Sequence, residues 1–411
     1  FIACHAQCLS GPYTIGGVNP DFQRIRLAFD SIRKVGICGN IDFNIRPGVY
    51  SDSLTLPYIK ESDQYRIRIK SENNDSSSVV LKPIPDLVNT INRYVFRLLN
   101  SKNITFEKLT FNLNSSLMEF CGIYIQPNSV NSDGIELFNN AFMSDSVKGQ
   151  ALTVENNVPC PIKIKIKNNR FLGTNILIYG NNPDTAASLQ INSNVFQGNA
   201  AGIHVYTFPG KVNVSDNHIT DTLTLAPKVV MIVNAGIIER NYIHLKSGSG
   251  IRVGPGFNLS TSYVQVINNY VQVDSSHFPA ITIAGGKGLI PFNTIRINSY
   301  GKYGSALQVE ATTTSIVKNN IIISRGGPRG LIDVIDKSSS IVDYNRYEGV
   351  PGIFGKADTT MYPSFSVWKL ATGFDAHSQF QKTNLADHPG YKIVGDPDLK
   401  NSGTPIPGIS T

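Results

Sequence analysis

The chain has 411 residues, of which 16% are charged, and its formal net charge is +7. The basic residues form no run, so their pattern argues against nucleic-acid binding and is compatible with contact to acidic glycans. No apolar stretch is long enough to cross a bilayer as a helix, so no transmembrane helix is expected.

The first seven residues are typical of the end of a secretory signal. In this interpretation Phe1–Gln7 is a signal-peptide remnant, with cleavage near Ala6 or Gln7. The alternative is a lipoprotein signal in which Ile2-Ala3-Cys4 is the recognition sequence and Cys4 carries the lipid. Both alternatives predict a protein that is secreted or held at the outer surface of a bacterium.

The five cysteines are compatible with an oxidising compartment. Cys8 and Cys38 flank the predicted N-terminal cap, and we predict a disulfide between them. Cys121 and Cys160 form either a second disulfide or two free buried thiols, while Cys4 belongs to the leader. Sequence spacing alone does not decide the connectivity.

An amphipathic segment follows the leader and predicts a capping helix. It begins at Pro20-Asp21, has apolar residues at helical spacing and ends at Gly36. Its apolar residues are Phe22, Ile25, Ala28, Phe29 and Ile32. The terminal coil of a repeat protein exposes apolar edges and an unpaired strand, so the helix is interpreted as the cap over the first coil.

A six-residue motif then recurs nine times at spacings of 23 to 29 residues. The first position is always aliphatic, the sixth is always apolar and the fourth is always asparagine. The copies are Leu137–Phe142, Ile166–Phe171, Ile191–Phe196, Val214–Ile219, Ile238–Ile243, Val266–Val271, Ile290–Ile295, Val317–Ile322 and Val342–Tyr347. The shared asparagines are Asn140, Asn169, Asn194, Asn217, Asn241, Asn269, Asn293, Asn320 and Asn345. A fixed period of this length indicates a repeat architecture.

Each repeat carries a second apolar run, such as Gly202–Val205 or Gly250–Val253, that alternates with period two and predicts a strand. A strand-helix-strand unit needs about 30 residues, so the repeat is better filled by short strands separated by bends. Stacking of such coils predicts an all-β fold, a single-stranded parallel β-helix. The usual handedness of parallel crossovers favours a right-handed one.

The shared asparagine is expected at the bend between strands, because asparagine tolerates the left-handed region and its amide can bond to turn backbone. Stacked amides can also bond to one another as a ladder. The first and sixth positions are expected to stack as apolar columns inside the coil. The asparagines are therefore predicted to serve stability rather than activity.

These elements predict one body with caps rather than several domains. Residues 1–7 are the signal-peptide remnant, and residues 8–60 are the N-terminal cap with its helix and the first coil. Residues 61–350 are the β-helix repeats, and residues 351–411 are an irregular C-terminal cap and tail. A monomer is expected.

The chain also resembles a known group of proteins along nearly its whole length. The segments Tyr13–Gly17, Pro20–Phe22 with the following helix, and Gly36–Tyr50 resemble secreted β-helix proteins of the pectin-lyase-like superfamily. More narrowly, they resemble type IX-secreted surface proteins of gliding and related bacteria. The resemblance implies that Asp343–Tyr347 and Thr372–Ser378 form the last coil and cap, and that a C-terminal sorting domain follows. These motifs are structural, so they specify fold more than chemistry.

The sequence lacks the catalytic motifs of polysaccharide-cleaving β-helix enzymes. Glycoside hydrolysis needs two carboxylates facing one substrate, and a lyase needs a basic residue, often beside calcium held by carboxylates. The sequence has no Asp-Asp pair, no Gly-His-Gly and no carboxylate cluster at coil spacing. Its histidines lack the spacing of a zinc site; those considered are His204, His218, His244, His277 and His377. No catalytic residue, cofactor or metal site is predicted.

One outward-facing column remains as a candidate surface. The middle residue of the second strand in each coil is expected to point outward, and read along the chain this column is Tyr124, Thr153, Leu177, His204, Met231, Arg252, Thr282, Gln308 and Asp333. Its candidate glycan-binding residues are Tyr124, His204, Arg252, Gln308 and Asp333. Arg252 is the expected anchor, because its planar guanidinium pairs with carboxylates. The alternative is an ordinary solvated sheet face.

The sequence thus favours a secreted, non-catalytic β-helix module that serves as a surface scaffold or adhesin and contacts a polysaccharide or cell-surface glycan. The alternative is a polysaccharide lyase or glycoside hydrolase of the pectin-lyase-like superfamily, acting on an acidic polysaccharide with a site assembled from non-sequential coils. No nucleic-acid partner is expected.

Overall fold

The computed structural model describes most of the chain, and every structural statement below refers to that part. The described residues are 8–84, 93–114, 120–127, 132–145, 149–156, 161–180, 186–198, 202–206, 208, 210–221, 229–233, 235–254, 263–275, 278–298, 305–310, 314–325, 330–349 and 352–382. The predicted leader with Cys4, and also Cys160 and His277, lie outside them. The chain divides into two compact units, Phe1–Asn213 and Val214–Thr411. Each unit is described by itself.

The first unit is built of short strands and one helix, α1 (Ile25–Val35). Its strands are β1 (Leu9–Ile15), β2 (Ile37–Ile45), β3 (Gly48–Ser51), β4 (Leu54–Leu56), β5 (Ile67–Ser71), β6 (Val79–Lys82), β7 (Tyr94–Leu99), β8 (Ile104–Glu107), β9 (Thr110–Asn112), β10 (Cys121–Gln126), β11 (Ser132–Phe138), β12 (Ala141–Met143), β13 (Gln150–Asn156), β14 (Ile162–Lys167), β15 (Arg170–Leu172), β16 (Asn175–Gly180), β17 (Ser188–Asn192), β18 (Val195–Gln197) and β19 (Gly202–Val205). Two 3₁₀ turns, Lys60–Asp63 and Ser76–Ser78, connect some of them.

Strand β20 (Lys211–Ser215) contains the residues at which the two units meet in sequence. The second unit continues with β21 (His218–Asp221), β22 (Val229–Val233), β23 (Gly236–Glu239), β24 (Tyr242–Ser247), β25 (Ser249–Val253), β26 (Tyr263–Ile267), β27 (Tyr270–Ser275), β28 (Ile281–Ile283), β29 (Lys287–Pro291), β30 (Thr294–Ile297), β31 (Leu307–Val309), β32 (Thr314–Lys318), β33 (Ile321–Ser324), β34 (Ile332–Val334), β35 (Ser340–Asp343), β36 (Arg346–Gly349), β37 (Gly355–Ala357), β38 (Thr360–Tyr362) and β39 (Gln379–Phe380). Its helix is α2 (Phe365–Thr372).

In each unit the coils contribute strands to three sheets, which we name sheets I, II and III and which are parallel except for the pair β37–β38. In the first unit sheet I contains β1, β2, β5, β8, β11, β14 and β17; sheet II contains β4, β7, β10, β13, β16 and β19; and sheet III contains β3, β6, β9, β12, β15 and β18. In the second unit sheet I contains β23, β26, β29, β32 and β35; sheet II contains β22, β25, β28, β31, β34, β37 and β38; and sheet III contains β21, β24, β27, β30, β33, β36 and β39. The predicted all-β, parallel β-solenoid fold is confirmed.

The first and sixth positions of the motif form the core of each unit. All eighteen of these side chains are at most 2% exposed, from Leu137 and Phe142 to Val342 and Tyr347. In the first unit the sixth position forms a column of stacked rings, in which neighbouring centroids lie 4.4 to 5.1 Å apart. The column consists of Phe111, Phe142, Phe171 and Phe196. Burying such a side chain is worth about 1.5–3 kcal/mol, so these columns are a main source of the stability of each coil.

The fourth-position asparagines are buried and joined by hydrogen bonds between coils. In the first unit Asn140 donates to Oδ1 of Asn169 from both its backbone N–H, at 2.9 Å, and its Nδ2, at 3.0 Å. Asn169 makes the same two bonds to Asn194, at 2.9 and 3.1 Å. Nδ2 of Asn169 also donates to the carbonyl oxygen of Leu137, at 2.8 Å. Each buried amide therefore finds partners in its own coil and in both neighbouring coils.

The second unit repeats this arrangement through Asn217, Asn241, Asn269, Asn293, Asn320 and Asn345. Each of these side-chain contacts is 2.9 to 3.1 Å long. In the first unit, the coil that lacks the motif has Leu109 in the ladder register, and its backbone N–H donates to Oδ1 of Asn140 at 3.1 Å. The series of hydrogen bonds between coils thus extends to a coil that has no asparagine, where a backbone N–H takes part in it.

The explanation of the asparagine by left-handed backbone was wrong. The left-handed residue is the one before each ladder asparagine, with φ between 53° and 60°. These residues are Asn139, Asn168, Ser193, Asp216, Arg240, Asn268, Phe292, Asn319 and Tyr344. Because residues as different as serine, arginine and phenylalanine occupy this position, the turn itself does not require asparagine. The requirement for asparagine comes from its amide, which both donates and accepts.

At the N-terminal end, α1 buries the predicted residues Ile25, Ala28, Phe29 and Ile32. The ring of Phe29 lies 6.1 Å from Phe43 and 5.9 Å from Phe96, so the helix covers the core of the first coils. The predicted disulfide Cys8–Cys38 is present, with Cα atoms 5.5 Å apart, and joins the residue before β1 to β2. Cys121 is a free, buried thiol.

The C-terminal cap is more regular than the irregular segment that was predicted. It contains the antiparallel pair β37–β38 and helix α2, which ends at Gly373 in the left-handed conformation. Trp368 of α2 is fully buried, and its ring lies 5.6 Å from that of Phe354. None of the helices in the described part of the chain has the length and apolar character needed to cross a membrane.

The amide ladder of the second unit ends on a buried carboxylate, Asp375, which has no exposed surface. Its oxygens accept from Nδ2 of Asn345 at 3.3 Å, the Tyr347 hydroxyl at 3.1 Å, Nε1 of Trp368 at 2.8 Å and the Ser378 hydroxyl at 2.5 Å. Burial raises the pKa of Asp375 above its ordinary value, although these hydrogen bonds act in the opposite direction. Asp375 thus closes the ladder with an acceptor-only group.

Replacing a ladder asparagine should destabilise the protein. We expect Asn169→Leu to lower the free energy of unfolding by about 1–3 kcal/mol, because Asn140 loses its acceptor and Leu137 loses a donor in a buried site. Denaturant unfolding measures this change. The control is Gln190→Leu, at an exposed position of β17 in the same unit, where a change within about 0.5 kcal/mol is expected. Equal stabilities of the two variants would contradict a structural role for the ladder.

Replacing the carboxylate that closes the ladder should change stability in a pH-dependent way. We expect Asp375→Asn to cost about 1–3 kcal/mol at neutral pH, because an amide N–H then faces the donors that surround it. Burial raises the pKa of Asp375 in the folded state above its value in the unfolded state, so the folded parent binds this proton more tightly. The free energy of unfolding of the parent therefore rises, relative to that of the variant, as pH falls from the folded-state pKa to the unfolded-state pKa. Chemical unfolding of both proteins across this pH range tests whether the difference in their free energies of unfolding changes in this direction.

Candidate functional site

The predicted outward column lies on sheet II, and in the first unit its register is as predicted. Tyr124 pairs with Thr153, Thr153 with Leu177, and Leu177 with His204. The row also extends in the other direction, where Tyr124 pairs with Arg97. Of the predicted site residues, the first unit therefore contains Tyr124 and His204, with two strands between them.

In the second unit one member of the column was assigned wrongly. Met231 is fully buried, and Ile232 rather than Met231 pairs with Arg252. The predicted strand phase was therefore shifted by one residue in β22, which exchanges inward and outward side chains. The row continues from Arg252 through a buried Thr282 to Gln308 and Asp333, and then to Lys356 of β37.

Arg252, the predicted anchor, is exposed on this row. Its guanidinium has no hydrogen-bond or ion-pair partner among the described residues. Its neighbours along the row are Ile232 and Thr282, so no charged or aromatic side chain stands directly beside it in register. Gln308 and Asp333 are adjacent to each other, one strand beyond Thr282. Among the predicted residues of this unit the structure thus brings together only Gln308 and Asp333 as direct neighbours.

A cleft of about 280 Å³ opens on the first unit around Tyr124. We name it the Arg97 cleft; it is lined by Arg93, Tyr94, Arg97, Phe120, Cys121, Tyr124, Gln150, Thr153 and Glu155. These residues belong to β7, β10 and β13, which are neighbouring strands of sheet II, or directly precede β7 and β10. Consecutive coils therefore bring side chains that are about 30 residues apart in sequence to one surface.

Two tyrosines fix the position of Arg97. The rings of Tyr94 and Tyr124 are stacked within 12° of parallel with centroids 6.4 Å apart, and the Arg97 guanidinium carbon lies 5.9 Å from each centroid. Nη2 of Arg97 donates to Oε1 of Gln126 at 2.5 Å. The cation–π contacts and the hydrogen bond together hold the guanidinium in place.

Glu155 is held by Tyr124 rather than by an arginine. The Tyr124 hydroxyl donates to Oε2 of Glu155 at 2.5 Å. Burial, followed by this hydrogen bond, raises the pKa of Tyr124 well above its ordinary value, so the phenol is protonated at neutral pH. Neither Arg93 nor Arg97 forms a salt bridge with a described residue. Two arginines against one glutamate leave the cleft with an excess of positive charge.

The two arginines also have unsatisfied donors. Nε of Arg93 and Nε of Arg97 are both buried and have no hydrogen-bond partner among the described residues. Such atoms are uncommon in folded proteins, because an unpaired buried donor costs about 1–3 kcal/mol. Both belong to residues that line the same cleft.

A buried thiol forms part of the cleft wall. Sγ of Cys121 lies 3.5 Å from the hydroxyl of Thr153, which donates to Oε1 of Gln150 at 2.5 Å. Burial raises the pKa of Cys121 to about 12, so the thiol is not a nucleophile at neutral pH. Among the described residues, no group of three or more His, Cys, Asp and Glu is arranged to hold a metal ion.

The sequence analysis found Tyr124 but missed Arg93, Arg97 and Glu155. Arg93 and Arg97 precede the first copy of the six-residue motif, in a coil whose phase the motif does not define. Glu155 lies two residues after Thr153, which had been placed in the column. The sequence shows that Arg93, Tyr94 and Arg97 are close together in the chain. Only the register of β7 against β10 shows that these residues lie beside Tyr124.

Comparisons with known proteins give a fold likeness and no family. No protein-family model matches the chain, and no curated protein matches it. Among solved structures it is similar to the A-module of the mannuronan C-5 epimerase AlgE6 from Azotobacter vinelandii, with a TM-score of 0.46 and 9% identity over 87% of this chain and 93% of that one. It is also similar to Escherichia coli ybhc, with a TM-score of 0.26 and 11% identity over 77% of this chain and 73% of that one.

The environment of Cys121 predicts its reactivity. Because burial raises the pKa of this thiol to about 12, we expect iodoacetamide to leave Cys121 unmodified in the native protein at neutral pH and to alkylate it after unfolding. Peptide mapping by mass spectrometry assigns the label to this residue, and the unfolded sample is the control. Rapid native alkylation of Cys121 would contradict the buried position at the cleft wall.

Proposed function

We propose that this protein is a glycan-contacting β-helix module, and that it binds an acidic polysaccharide at the Arg97 cleft. The observation that carries the proposal is that Arg93 and Arg97 line one cleft and that neither forms a salt bridge with a described residue. A carboxylate is well suited, because a planar guanidinium binds it at two points.

The rest of the cleft is suited to a sugar. Gln150 offers an amide that can both donate and accept, as sugar hydroxyls do. Tyr94 and Tyr124 supply apolar ring surface beside it. A mostly rigid sheet carries all of these groups, so little ordering is needed on binding. This assignment moves the anchor from Arg252, which is exposed, to Arg97, whose guanidinium contacts the rings of Tyr94 and Tyr124.

Catalysis is the second candidate, and one contact favours it. A protonated Tyr124 that donates to Glu155 beside two arginines is an acid–base pair next to a carboxylate-binding group. Such a pair suits a polysaccharide lyase, in which one group removes a proton and another protonates the leaving oxygen. It suits a glycoside hydrolase less, because Glu155 is the single carboxylate among the residues that line the cleft.

We further propose that the protein works outside the cytoplasm, at a bacterial surface. The Cys8–Cys38 disulfide supports an oxidising compartment. The sequence resemblance to secreted proteins of the pectin-lyase-like superfamily points in the same direction, and the leader-like Phe1–Gln7 is compatible with export. Detection of the protein in surface and culture fractions of the source cells tests this part of the proposal.

Binding measurements on cleft variants test the main proposal. A panel of acidic and neutral polysaccharides is titrated against the parent, and Arg97→Gln is expected to weaken acidic-polymer binding by about ten-fold or more through loss of a charge-assisted contact. Added salt should weaken the same binding by screening. Arg252→Gln is the matched control, because Arg252 is also an unpaired arginine of sheet II, and it should bind like the parent.

Tyrosine variants add a second comparison. Tyr124→Phe removes the hydroxyl that donates to Glu155, and Tyr58→Phe removes one that donates to Asp63 outside the cleft. We expect the first variant, and not the second, to change acidic-polymer binding. Loss of binding in Arg252→Gln instead of Arg97→Gln would move the site to the second unit. Formation of an unsaturated uronate product, detected by ultraviolet absorbance, would show that the protein is a lyase and not only a binding module.

A further inference from the structure

A second group of polar side chains covers the outer face of sheet III in the second unit. In register across β24, β27 and β30, His244 pairs with Gln272 and Gln272 with Arg296. Asp274 and Asn298 follow two residues further along the same strand direction. A neighbouring row consists of His218, Tyr242 and Tyr270, whose rings are stacked with centroids 4.4 and 5.5 Å apart.

Hydrogen bonds connect these polar groups into one network centred on Asp274. Its Oδ1 accepts from Nε2 of Gln272 at 2.9 Å and from Nδ2 of Asn298 at 2.8 Å, and its Oδ2 lies 3.2 Å from Nε2 of His244. Oδ1 of Asn298 in turn accepts from Nε of Arg296 at 3.0 Å. Since His244, Gln272, Asp274 and Arg296 stand on strands of a packed sheet and Asn298 directly follows β30, the network is fixed before any ligand arrives.

The network retains unused hydrogen-bonding capacity that faces solvent. His244 and Asp274 are 37% and 38% exposed in their side chains. Oδ2 of Asp274 can accept one more hydrogen bond, and Nδ2 of Asn298 has a second N–H to donate. Because Nε2 of His244 carries the proton that it donates to Asp274, Nδ1 of the neutral ring is an acceptor. The face thus offers an acceptor and a donor side by side.

We propose that this network is a second carbohydrate site, which takes the hydroxyl groups of a neutral sugar residue. A hydroxyl both donates and accepts, so two adjacent hydroxyls complement a free carboxylate oxygen beside a free amide N–H. The stacked rings of His218, Tyr242 and Tyr270 lie in the adjacent row and give apolar surface for the sugar carbons. The site is distinct from the Arg97 cleft, which belongs to the first unit.

The charge of the network selects against acidic ligands. Asp274 holds the exposed centre of the face, and hydrogen bonds from Gln272, Asn298 and His244 lower its pKa below the ordinary value, against the opposing effect of burial. It is therefore ionised at neutral pH. Arg296, the cation of the network, is 8% exposed and donates into Asn298, so it is less available to an incoming anion. A ligand carboxylate would meet a like charge, whereas a hydroxyl meets an acceptor.

Affinity electrophoresis of the full chain against neutral polysaccharides, namely a xylan, a mannan, a galactan and a β-glucan, tests the proposal. At least one polymer is expected to retard the parent, and Asp274→Asn should weaken that binding by about ten-fold or more, since a hydrogen bond to a charged group is lost. The matched control is Asp343→Asn, which also removes a carboxylate paired with a histidine, 2.7 Å from Nδ1 of His377, in the same unit. It should bind like the parent.

A second variant and the acidic polymers separate the outcomes. If Asp274→Asn fails to fold, His244→Gln takes its place in the test. This variant keeps polar character and should also weaken neutral-polymer binding. Acidic-polymer binding, which belongs to the Arg97 cleft, should be unchanged in both variants. The proposal is overturned if no neutral polymer binds, or if Asp274→Asn and His244→Gln bind it as the parent does. In that case the network only stabilises the sheet, and the result for the Arg97 cleft stands independently.

Discussion

The stacked asparagines are the constraint on which the fold of each unit depends. A side-chain amide buried at the bend of a coil has to find donors and acceptors, and most of those that the described ladder amides find belong to the coils before and after. Every coil is thereby tied to its neighbours at one register, because a shift by one residue would leave several buried groups without partners. The apolar columns on either side supply burial energy, and the amides specify the alignment.

The same constraint explains how each unit treats its ends. A ladder of identical amides has no natural end, so it must be closed by a different chemical group. In the first unit the backbone N–H of Leu109 takes the place of an asparagine. In the second unit Asp375 accepts from four donors and is covered by Trp368 and α2. Capping of the apolar columns and closure of the ladder are thus done by one structural element at the C-terminal end.

Because the core positions are fixed, chemical variety is confined to outward positions of the sheets. The Arg97 cleft and the Asp274 network both consist of residues on consecutive strands, so groups about 25 to 30 residues apart in sequence lie on one surface. They differ in charge: the cleft has arginines without carboxylate partners, whereas the network has an exposed carboxylate and a buried arginine. This difference is the physical basis for assigning them acidic and neutral sugars respectively.

The repeat predicted the all-β solenoid and the buried columns, because these follow from periodicity. Apolar residues at helical spacing predicted the helix over the first coil, and the expected secretion together with the two cysteines that flank the N-terminal cap predicted the Cys8–Cys38 disulfide. The repeat did not predict that the left-handed residue of the turn is the one before the asparagine. The sequence also did not show which residue of β22 faces outward, because Met231 and Ile232 are both apolar and a period of two does not distinguish them. The arginines of the cleft precede the motif, so only the pairing of β7 with β10 reveals their neighbours. Sequence alone determines which residues must be buried in a repeating coil, whereas the register between coils, a property of the tertiary structure, decides which exposed side chains meet and what chemistry they share.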